Sequence, residues 1–150
     1  GLVIAVVVVL VLTLAAPRRP RVAQVAFVVL ALVVLTGKSW PVQASLWLLP
    51  LAALARPRWR DHLVWAGVEA TYFVAVWLFI AAASTPDRAL PAPWYGAFLL
   101  LRVAGLLWLV AVVVRDMWRP EHDPVRAAGV GDPLEGPLTG EDDGVIIRFV

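Results

Sequence analysis

The stretch Leu63–Ala83 reads LVWAGVEATYFVAVWLFIAAA and contains a single charged residue, Glu69. A second stretch, Ala97–Val114, reads AFLLLRVAGLLWLVAVVV and also contains one charge, Arg102. A helix needs about 20 predominantly apolar residues to cross the hydrocarbon core of a bilayer. Both stretches meet this condition, so the sequence predicts membrane-spanning helices.

The whole chain is rich in apolar residues and poor in charged ones. Of its 150 residues, 61% are hydrophobic and 16% are charged, and the mean hydropathy is +0.82. A soluble domain has about 45–50% apolar and about 25% charged residues. The excess is too large for one soluble core of this size, which excludes an ordinary globular enzyme. The formal net charge of +2 comes with no basic patch interleaved with aromatics, so we expect no nucleic-acid binding.

Three shorter apolar segments precede the two long ones. The sequence predicts an all-α fold, a polytopic transmembrane helix bundle with segments at residues 2–16, 22–36, 40–55, 63–83 and 97–114. Residues 1–119 form this membrane region. Residues 120–150 are rich in glycine, proline and acidic residues, which predicts an acidic, mostly disordered tail.

The basic residues predict the orientation of the segments. Arginines cluster in the first, third and last connections, whereas the second and fourth hold only Lys38 and Arg88. By the positive-inside rule the arginine-rich connections are cytoplasmic. We therefore expect a multi-pass protein of the cell (plasma) membrane with a cytoplasmic C-terminus. The clustered residues are Arg18, Arg19, Arg21, Arg56, Arg58, Arg60, Arg115 and Arg119.

Aromatic residues agree with these boundaries. Trp and Tyr are enriched at membrane–water interfaces, and Tyr95 lies near a predicted segment end together with several tryptophans. We expect these residues, apart from Trp40, to be interfacial anchors. The tryptophans are Trp40, Trp59, Trp65, Trp94 and Trp118.

Glu69 and Arg102 interrupt apolar segments and are therefore candidates for function. Each costs about 2.5–3.5 kcal/mol at a helix centre. Counted from the cytoplasmic ends of their segments, Glu69 lies roughly 9 Å deep and Arg102 roughly 18 Å deep, so a salt bridge requires staggered helices. The alternative is that Arg102 reaches the outer surface while Glu69 bonds to a neighbouring helix. In a functional role, Arg102 would bind an anion such as a lipid phosphate. Trp65, Glu69 and Tyr72 share one helix face, which predicts that Glu69 faces protein rather than lipid. Glu69 and Tyr72 are the predicted intramembrane polar residues.

The connection between the second and third segments carries distinctive chemistry. Lys38, Trp40 and Gln43 precede a predicted helix start, which Ser39 can cap and where Pro41 fits the first turn. A lysine beside the free N–H groups of a helix start suits a phosphate. Trp40 can stack on a sugar or an isoprenoid, and Gln43 can hydrogen-bond hydroxyl groups. The alternative is a capped, Trp-anchored helix end with a snorkelling lysine.

The same stretch resembles a known family. Gly37-Lys38-Ser39-Trp40, then Gln43, then Leu46–Leu51 resembles the Lys-x-aromatic-Ser-Pro-Gln…Leu-Trp-Leu-x-Pro stretch of glycosyltransferase family 87, a family of GT-C-type integral-membrane enzymes. Residues 55–61 and 69–73 resemble its actinobacterial branch, and the resemblance covers residues 22–119. Pro41-Val42 stands where the commoner family pattern has Ser-Pro.

The resemblance implies a transferase that uses a polyprenyl-phosphate-linked sugar, often mannose, on the extracytoplasmic side. The candidate donor- or phosphate-binding residues are then Lys38, Trp40, Gln43 and Arg102. The family's catalytic aspartate belongs to the first outer loop of a larger bundle, and that loop is not in this sequence. Asp87, the only acid in an outward loop, is not at the family's catalytic position.

Gly1 opens directly on an apolar run, so we expect a C-terminal portion of a longer enzyme, inactive by itself and with no catalytic residue. We expect no cofactor and no metal, since the chain has no cysteine and its two histidines do not form a ligand pair. Expected partners are membrane lipid, the polyprenyl-phosphate-sugar donor and a cytoplasmic protein for the tail.

Two other functions remain open. One is a non-enzymatic membrane scaffold or accessory subunit whose tail recruits a partner. The other is a transport component with Glu69 and Arg102 in a polar pathway, which the absence of paired broken segments argues against.

Overall fold

The computed structural model describes residues 2–16, 19–81 and 90–129, and in these residues the secondary structure is entirely helical. A 3₁₀ turn at Pro120–His122 precedes the last helix. The helices are α1 (Leu2–Ala15), α2 (Val22–Thr36), α3 (Ala44–Ala55), α4 (Trp59–Ile80), α5 (Ala92–Trp118) and α6 (Pro124–Ala127).

Two of these helices, α4 and α5, are long and apolar enough to cross a membrane. The other apolar helices in the described part, α1, α2 and α3, fall below the usual spanning length of about 17–25 residues. The described part of the chain is therefore all-helical, and α4 and α5 are its two candidate membrane-spanning helices.

The long helices extend beyond the apolar segments predicted for them. We expected residues 63–83 and 97–114, but α4 begins at Trp59 and ends at Ile80, and α5 covers Ala92–Trp118. The apolar pattern marks where side chains prefer lipid, whereas the backbone hydrogen bonds continue through the polar turns beside it. Pro93 is compatible with the start of α5 because the first turn needs no N–H from it.

The residues fall into two compact units, one with residues 1–58 and 110–150 and the other with residues 59–109. In the first unit α2 packs on both α1 and α3. The face of α3 that is buried consists of small residues and one leucine, spaced at helical intervals: Ala44, Leu48, Ala52 and Ala55. Small residues let helix backbones approach closely, which is how membrane helices pack without a hydrophobic driving force.

The first unit also contains a buried cluster of charges, the arginine–aspartate cluster, made of Arg21, Gln24, Arg56, Asp116 and Asp123. Arg21 donates two hydrogen bonds to the Asp123 carboxylate, from Nε to Oδ2 at 2.8 Å and from Nη2 to Oδ1 at 3.0 Å. Gln24 Nε2 adds a bond to Oδ2 at 3.2 Å. Arg56 pairs with Asp116 in a second buried salt bridge.

The cluster also joins the ends of helices. The Arg21 guanidinium donates to the carbonyl oxygens of Leu54 at 3.0 Å and Ala55 at 2.6 Å. These carbonyls belong to the last turn of α3, where helices leave acceptors unsatisfied and favour a positive charge. The start of α2 and the end of α3 therefore lie side by side, and the two helices run antiparallel.

Two sequence expectations change here. We treated Arg21 and Arg56 as residues of polar connections, but both are buried, with 3% of their surface exposed. The tail predicted from residue 120 begins with ordered residues, since Asp123 is fully buried and caps α6 through Val125 N at 3.1 Å. Residues 130–150, which hold the rest of the predicted tail, lie outside the described residues.

Asp123→Ala tests the cluster, because it leaves the Arg21 charge buried without its partner. We expect the free energy of unfolding in detergent micelles to fall by about 3–5 kcal/mol. Glu121→Ala is the control, since the Glu121 side chain is 66% exposed. Equal unfolding transitions for the two variants would contradict a stabilising role of Asp123.

Gly105→Leu tests the packing of α4 against α5 in the second unit. A Cβ at Gly105 would lie 3.1 Å from Val68 Cγ1, whereas a Cβ at Gly67 would meet nothing within 4 Å. We expect Gly105→Leu to cost about 1–3 kcal/mol through overpacking and Gly67→Leu to leave the thermal midpoint nearly unchanged. A midpoint equal to wild type for Gly105→Leu would show that the helices separate there without cost.

Candidate functional site

The second unit brings together the two charges that interrupt the apolar segments. Arg102 Nε donates to both carboxylate oxygens of Glu69, at 3.1 Å and 3.0 Å. The Arg102 side chain is fully buried and that of Glu69 is 12% exposed. The pairing left open by the sequence therefore exists, and Arg102 does not extend to the outer surface.

The depths of the two residues explain why they meet. Counted from the helix ends nearest the connection between α4 and α5, Glu69 lies roughly 16 Å from Ile80 and Arg102 roughly 15 Å from Ala92. The two side chains are thus nearly level on antiparallel helices. Counted from the opposite ends, Trp59 and Trp118, the depths of the two residues still differ by roughly 9 Å, because α5 is the longer helix. The stagger that the sequence required for a salt bridge is therefore present.

Tyr72, on the same face of α4 as Glu69, also contacts the pair. The guanidinium carbon of Arg102 lies 4.5 Å from the centroid of the Tyr72 ring, a cation–π contact. The Tyr72 ring and the Glu69 carboxylate together offset the free-energy cost of burying the Arg102 charge. Trp65, which we expected to anchor at an interface, is instead buried on this face of α4, with 3% exposure.

The polar contacts continue from Tyr72 towards the ends of the helices. The hydroxyl groups of Tyr72 and Tyr95 lie 3.1 Å apart, and the ring of Tyr95 stacks on Phe79 with centroids 4.4 Å apart. Sequence reasoning made Tyr95 an interfacial anchor and overlooked Phe79. The spacing of Tyr72 and Phe79, seven residues on one face of α4, was the available signal.

The salt bridge between Glu69 and Arg102 affects both anion binding and the register of the two helices. A carboxylate and a guanidinium bonded at 3.0 Å neutralise each other, so a phosphate at Arg102 would compete with Glu69. The anion-binding role of Arg102 stays a prediction. The pair itself gives α4 and α5 a fixed register, because a shift of either helix would separate two charges in apolar surroundings.

The other predicted donor-binding residues lie in the first unit, in the connection between α2 and α3. Lys38 and Gln43 are exposed, and Trp40 is half-buried. The connection is not helical at Lys38 or Trp40, and a turn precedes α3, with Ala44 N donating to Pro41 O at 3.1 Å. The two exposed side chains are accessible to a ligand.

The predicted helix start in this connection was wrong in detail. We expected the third segment to begin at Trp40, with Ser39 as cap and Pro41 in the first turn. Instead α3 begins at Ala44, and its N-cap, Gln43, makes no capping bond with its side chain. Pro41 shapes the turn ahead of the helix. Asp87, in the other predicted outer loop, lies outside the described residues.

Protein-family models, curated proteins and solved structures gave no match to this chain. In residues 2–16, 19–81 and 90–129 no three acidic or histidine side chains group to hold a metal ion. The fold and the site thus define a class only: a helical protein with two helices able to span a membrane and a buried ion pair joining them.

A double-mutant cycle tests what the ion pair contributes. Glu69→Leu removes the carboxylate that neutralises the buried Arg102 charge, and we expect it to cost about 3–5 kcal/mol. Adding Arg102→Leu should recover most of this loss, because apolar residues replace both charges. Thermal midpoints in one detergent measure both effects. A double variant no more stable than Glu69→Leu would contradict a direct interaction.

Proposed function

We propose that this chain is the C-terminal membrane part of an integral-membrane glycosyltransferase that uses a polyprenyl-phosphate-linked sugar on the extracytoplasmic side. The observation that carries the proposal is the stretch from Gly37 to Leu51, with its Lys-x-Trp and Leu-Trp-Leu-Leu-Pro pattern. The chain supplies no catalytic aspartate in this proposal, so it is inactive alone. The sugar is a hexose such as mannose.

The geometry of the connection between α2 and α3 supports a role in donor binding. Lys38 and Gln43 are exposed beside a half-buried Trp40. An ammonium group, an amide and an indole are the groups needed for a phosphate, sugar hydroxyls and an apolar or sugar ring respectively. In this role Lys38 binds the donor phosphate, and Trp40 and Gln43 orient the group next to it.

We further propose that the chain crosses the membrane five times with its C-terminus in the cytoplasm. The arginine–aspartate cluster supports this arrangement, because it gathers Arg21, Arg56 and Asp116 from the first, third and last connections. Connections that share an end of the fold can share a side of the membrane. The exposed apolar face of α1, with Val3 at 74% exposure, suits contact with lipid.

Single-cysteine labelling tests the orientation, because the native chain has no cysteine. Ser39→Cys should react with a membrane-impermeant maleimide on intact cells, and Glu121→Cys should react only after permeabilisation. Both positions are exposed, so accessibility to the reagent in detergent is the control. The reverse pattern would overturn the orientation, and labelling of both on intact cells would overturn the number of crossings.

Lys38→Ala tests donor binding, in the enzyme with its upstream helices present. We expect the donor KM to rise about tenfold or more, since a charge-assisted bond to phosphate contributes roughly 1.5–3 kcal/mol. Arg60→Ala removes an exposed basic residue elsewhere and should leave KM unchanged. Unchanged KM and turnover for Lys38→Ala in membranes would eliminate the role of Lys38. Sugar transfer by the purified 150-residue chain alone would contradict the missing catalytic part.

A non-enzymatic membrane scaffold is the second candidate, and one observation favours it. Arg21 and Gln24 donate hydrogen bonds to Asp123 and so fix the start of the tail region on the helices. A partner recruited by the tail would then be held at a defined position. The coding sequence upstream of Gly1 separates the two candidates. Further helices with an aspartate in an outer loop favour the enzyme, and a start codon directly before Gly1 favours the scaffold.

A further inference from the structure

Exposed arginines surround the buried pair of Arg56 and Asp116 in the first unit. Arg115 Nη2 donates to Asp116 Oδ1 at 3.2 Å, and Arg56 pairs with the other oxygen of the same carboxylate. Arg119 N donates to Arg115 O at 2.8 Å, and Arg58 N donates to Arg56 O at 2.8 Å. The exposed residues Arg58, Arg115 and Arg119 are therefore held around one buried carboxylate, and we call them the arginine surface.

Arginines outnumber the acidic residues at this end of the first unit. Asp123 is bonded to Arg21, and Arg126 Nε lies a further 3.9 Å from Oδ2 of the same carboxylate. Arg126 also donates to the carbonyl oxygen of Arg19, which brings Arg19 to the same end. The described residues at this end include seven arginines and three acidic residues, an excess of four positive charges. They are Arg19, Arg21, Arg56, Arg58, Arg115, Arg119 and Arg126, with Asp116, Glu121 and Asp123.

The arginine surface carries the part of this excess that an external anion can reach. In residues 2–16, 19–81 and 90–129, neither Arg58 nor Arg119 forms an ion pair with an acidic side chain. The Arg115 side chain is 43% exposed and shares its carboxylate with a buried arginine. A guanidinium presents a rigid fork of N–H donors that matches the oxygens of a phosphate. The surface therefore suits a phosphate group from outside the chain.

Trp118 indicates which kind of phosphate compound fits. It lies between Arg115 and Arg119 in the chain, is 48% exposed and is the last residue of α5, a helix long and apolar enough to cross a membrane. Indole rings and the long side chains of arginines favour the boundary between hydrocarbon and polar headgroups. A compound that presents a phosphate beside hydrocarbon satisfies both kinds of side chain, whereas a nucleic acid presents no hydrocarbon chain.

We infer that the arginine surface binds the phosphate group of an anionic phospholipid at the end of α5. The guanidinium groups neutralise the charge of the headgroup, and the Trp118 ring contacts the hydrocarbon next to it. A zwitterionic phospholipid carries its own cation beside the phosphate, so it gains less from the excess positive charge. Such binding requires neither the polyprenyl-phosphate donor nor the proposed glycosyltransferase activity.

Native mass spectrometry of the full chain tests this preference after release from vesicles with equal amounts of phosphatidylglycerol and phosphatidylcholine of the same acyl chains. We expect wild type to retain phosphatidylglycerol preferentially. Arg58→Gln/Arg119→Gln should lower the ratio of the two lipids about tenfold or more, because each basic residue near an anionic surface contributes roughly fivefold. Either single variant should lower the ratio about fivefold. Both side chains are exposed, so the thermal midpoint should stay that of wild type.

Two further variants separate charge from other effects of substitution. Arg58→Lys/Arg119→Lys keeps both positive charges and should keep the preference for phosphatidylglycerol. Glu121→Gln removes an exposed acidic side chain at the same end and should not lower the preference. A lysine variant with a ratio as low as that of the glutamine variant would overturn charge as the cause of the preference.

Other results would also contradict the proposed ligand. Equal retention of the two lipids by wild type would overturn it, and a preference that Arg58→Gln/Arg119→Gln keeps would place the anionic lipid elsewhere. A preference that appears only in Glu141→Gln/Asp142→Asn/Asp143→Asn would assign the arginine surface to the acidic tail of the chain itself. Retention of an added single-stranded oligonucleotide in place of phosphatidylglycerol would assign it to a nucleic acid.

Discussion

A charge removed from water must have a partner, and this requirement organises the structure described here. Arg102 is fully buried and is paired with Glu69, Arg21 is bonded to Asp123, and Arg56 is bonded to Asp116. Separating any of these pairs would leave a charge in apolar surroundings at a cost of several kcal/mol. Hydrophobic contact alone selects no register between apolar helices in a membrane, because lipid offers the same contact. The ion pairs supply that selection.

The two groups of charges act on different parts of the molecule. The Glu69–Arg102 pair aligns α4 with α5, and Tyr72 and Tyr95 extend the alignment towards the loop end. The arginine–aspartate cluster joins the start of α2, the end of α3 and the segment after α5. The α2–α3 connection lies at the opposite end of α2 from Arg21. Its exposed Lys38 and Gln43 are therefore not used to hold the helices together, which leaves them available for a ligand.

The sequence predicted some of these features and missed others for identifiable reasons. Glu69 and Arg102 stood out because a charge in an apolar segment is costly, and Tyr72 followed from its position on the face of Glu69. Asp116 and Asp123 did not stand out, since an acidic residue next to arginines at a helix end is ordinary in water-exposed connections. The sequence contains no signal that such a connection becomes buried. Ser39 failed as a cap because the chain makes one more turn at Pro41 before α3 begins at Ala44.

The amino-acid sequence by itself determined the helical class, the two apolar stretches long enough to span a membrane, and the identity of the charges that need partners. These follow from composition and local pattern, which act residue by residue. Only the tertiary structure decided which charges pair, where each helix ends and which arginines are buried. Those outcomes depend on contacts between residues far apart in the chain, such as Arg21 and Asp123. The energy of such a contact exists only once the helices have packed.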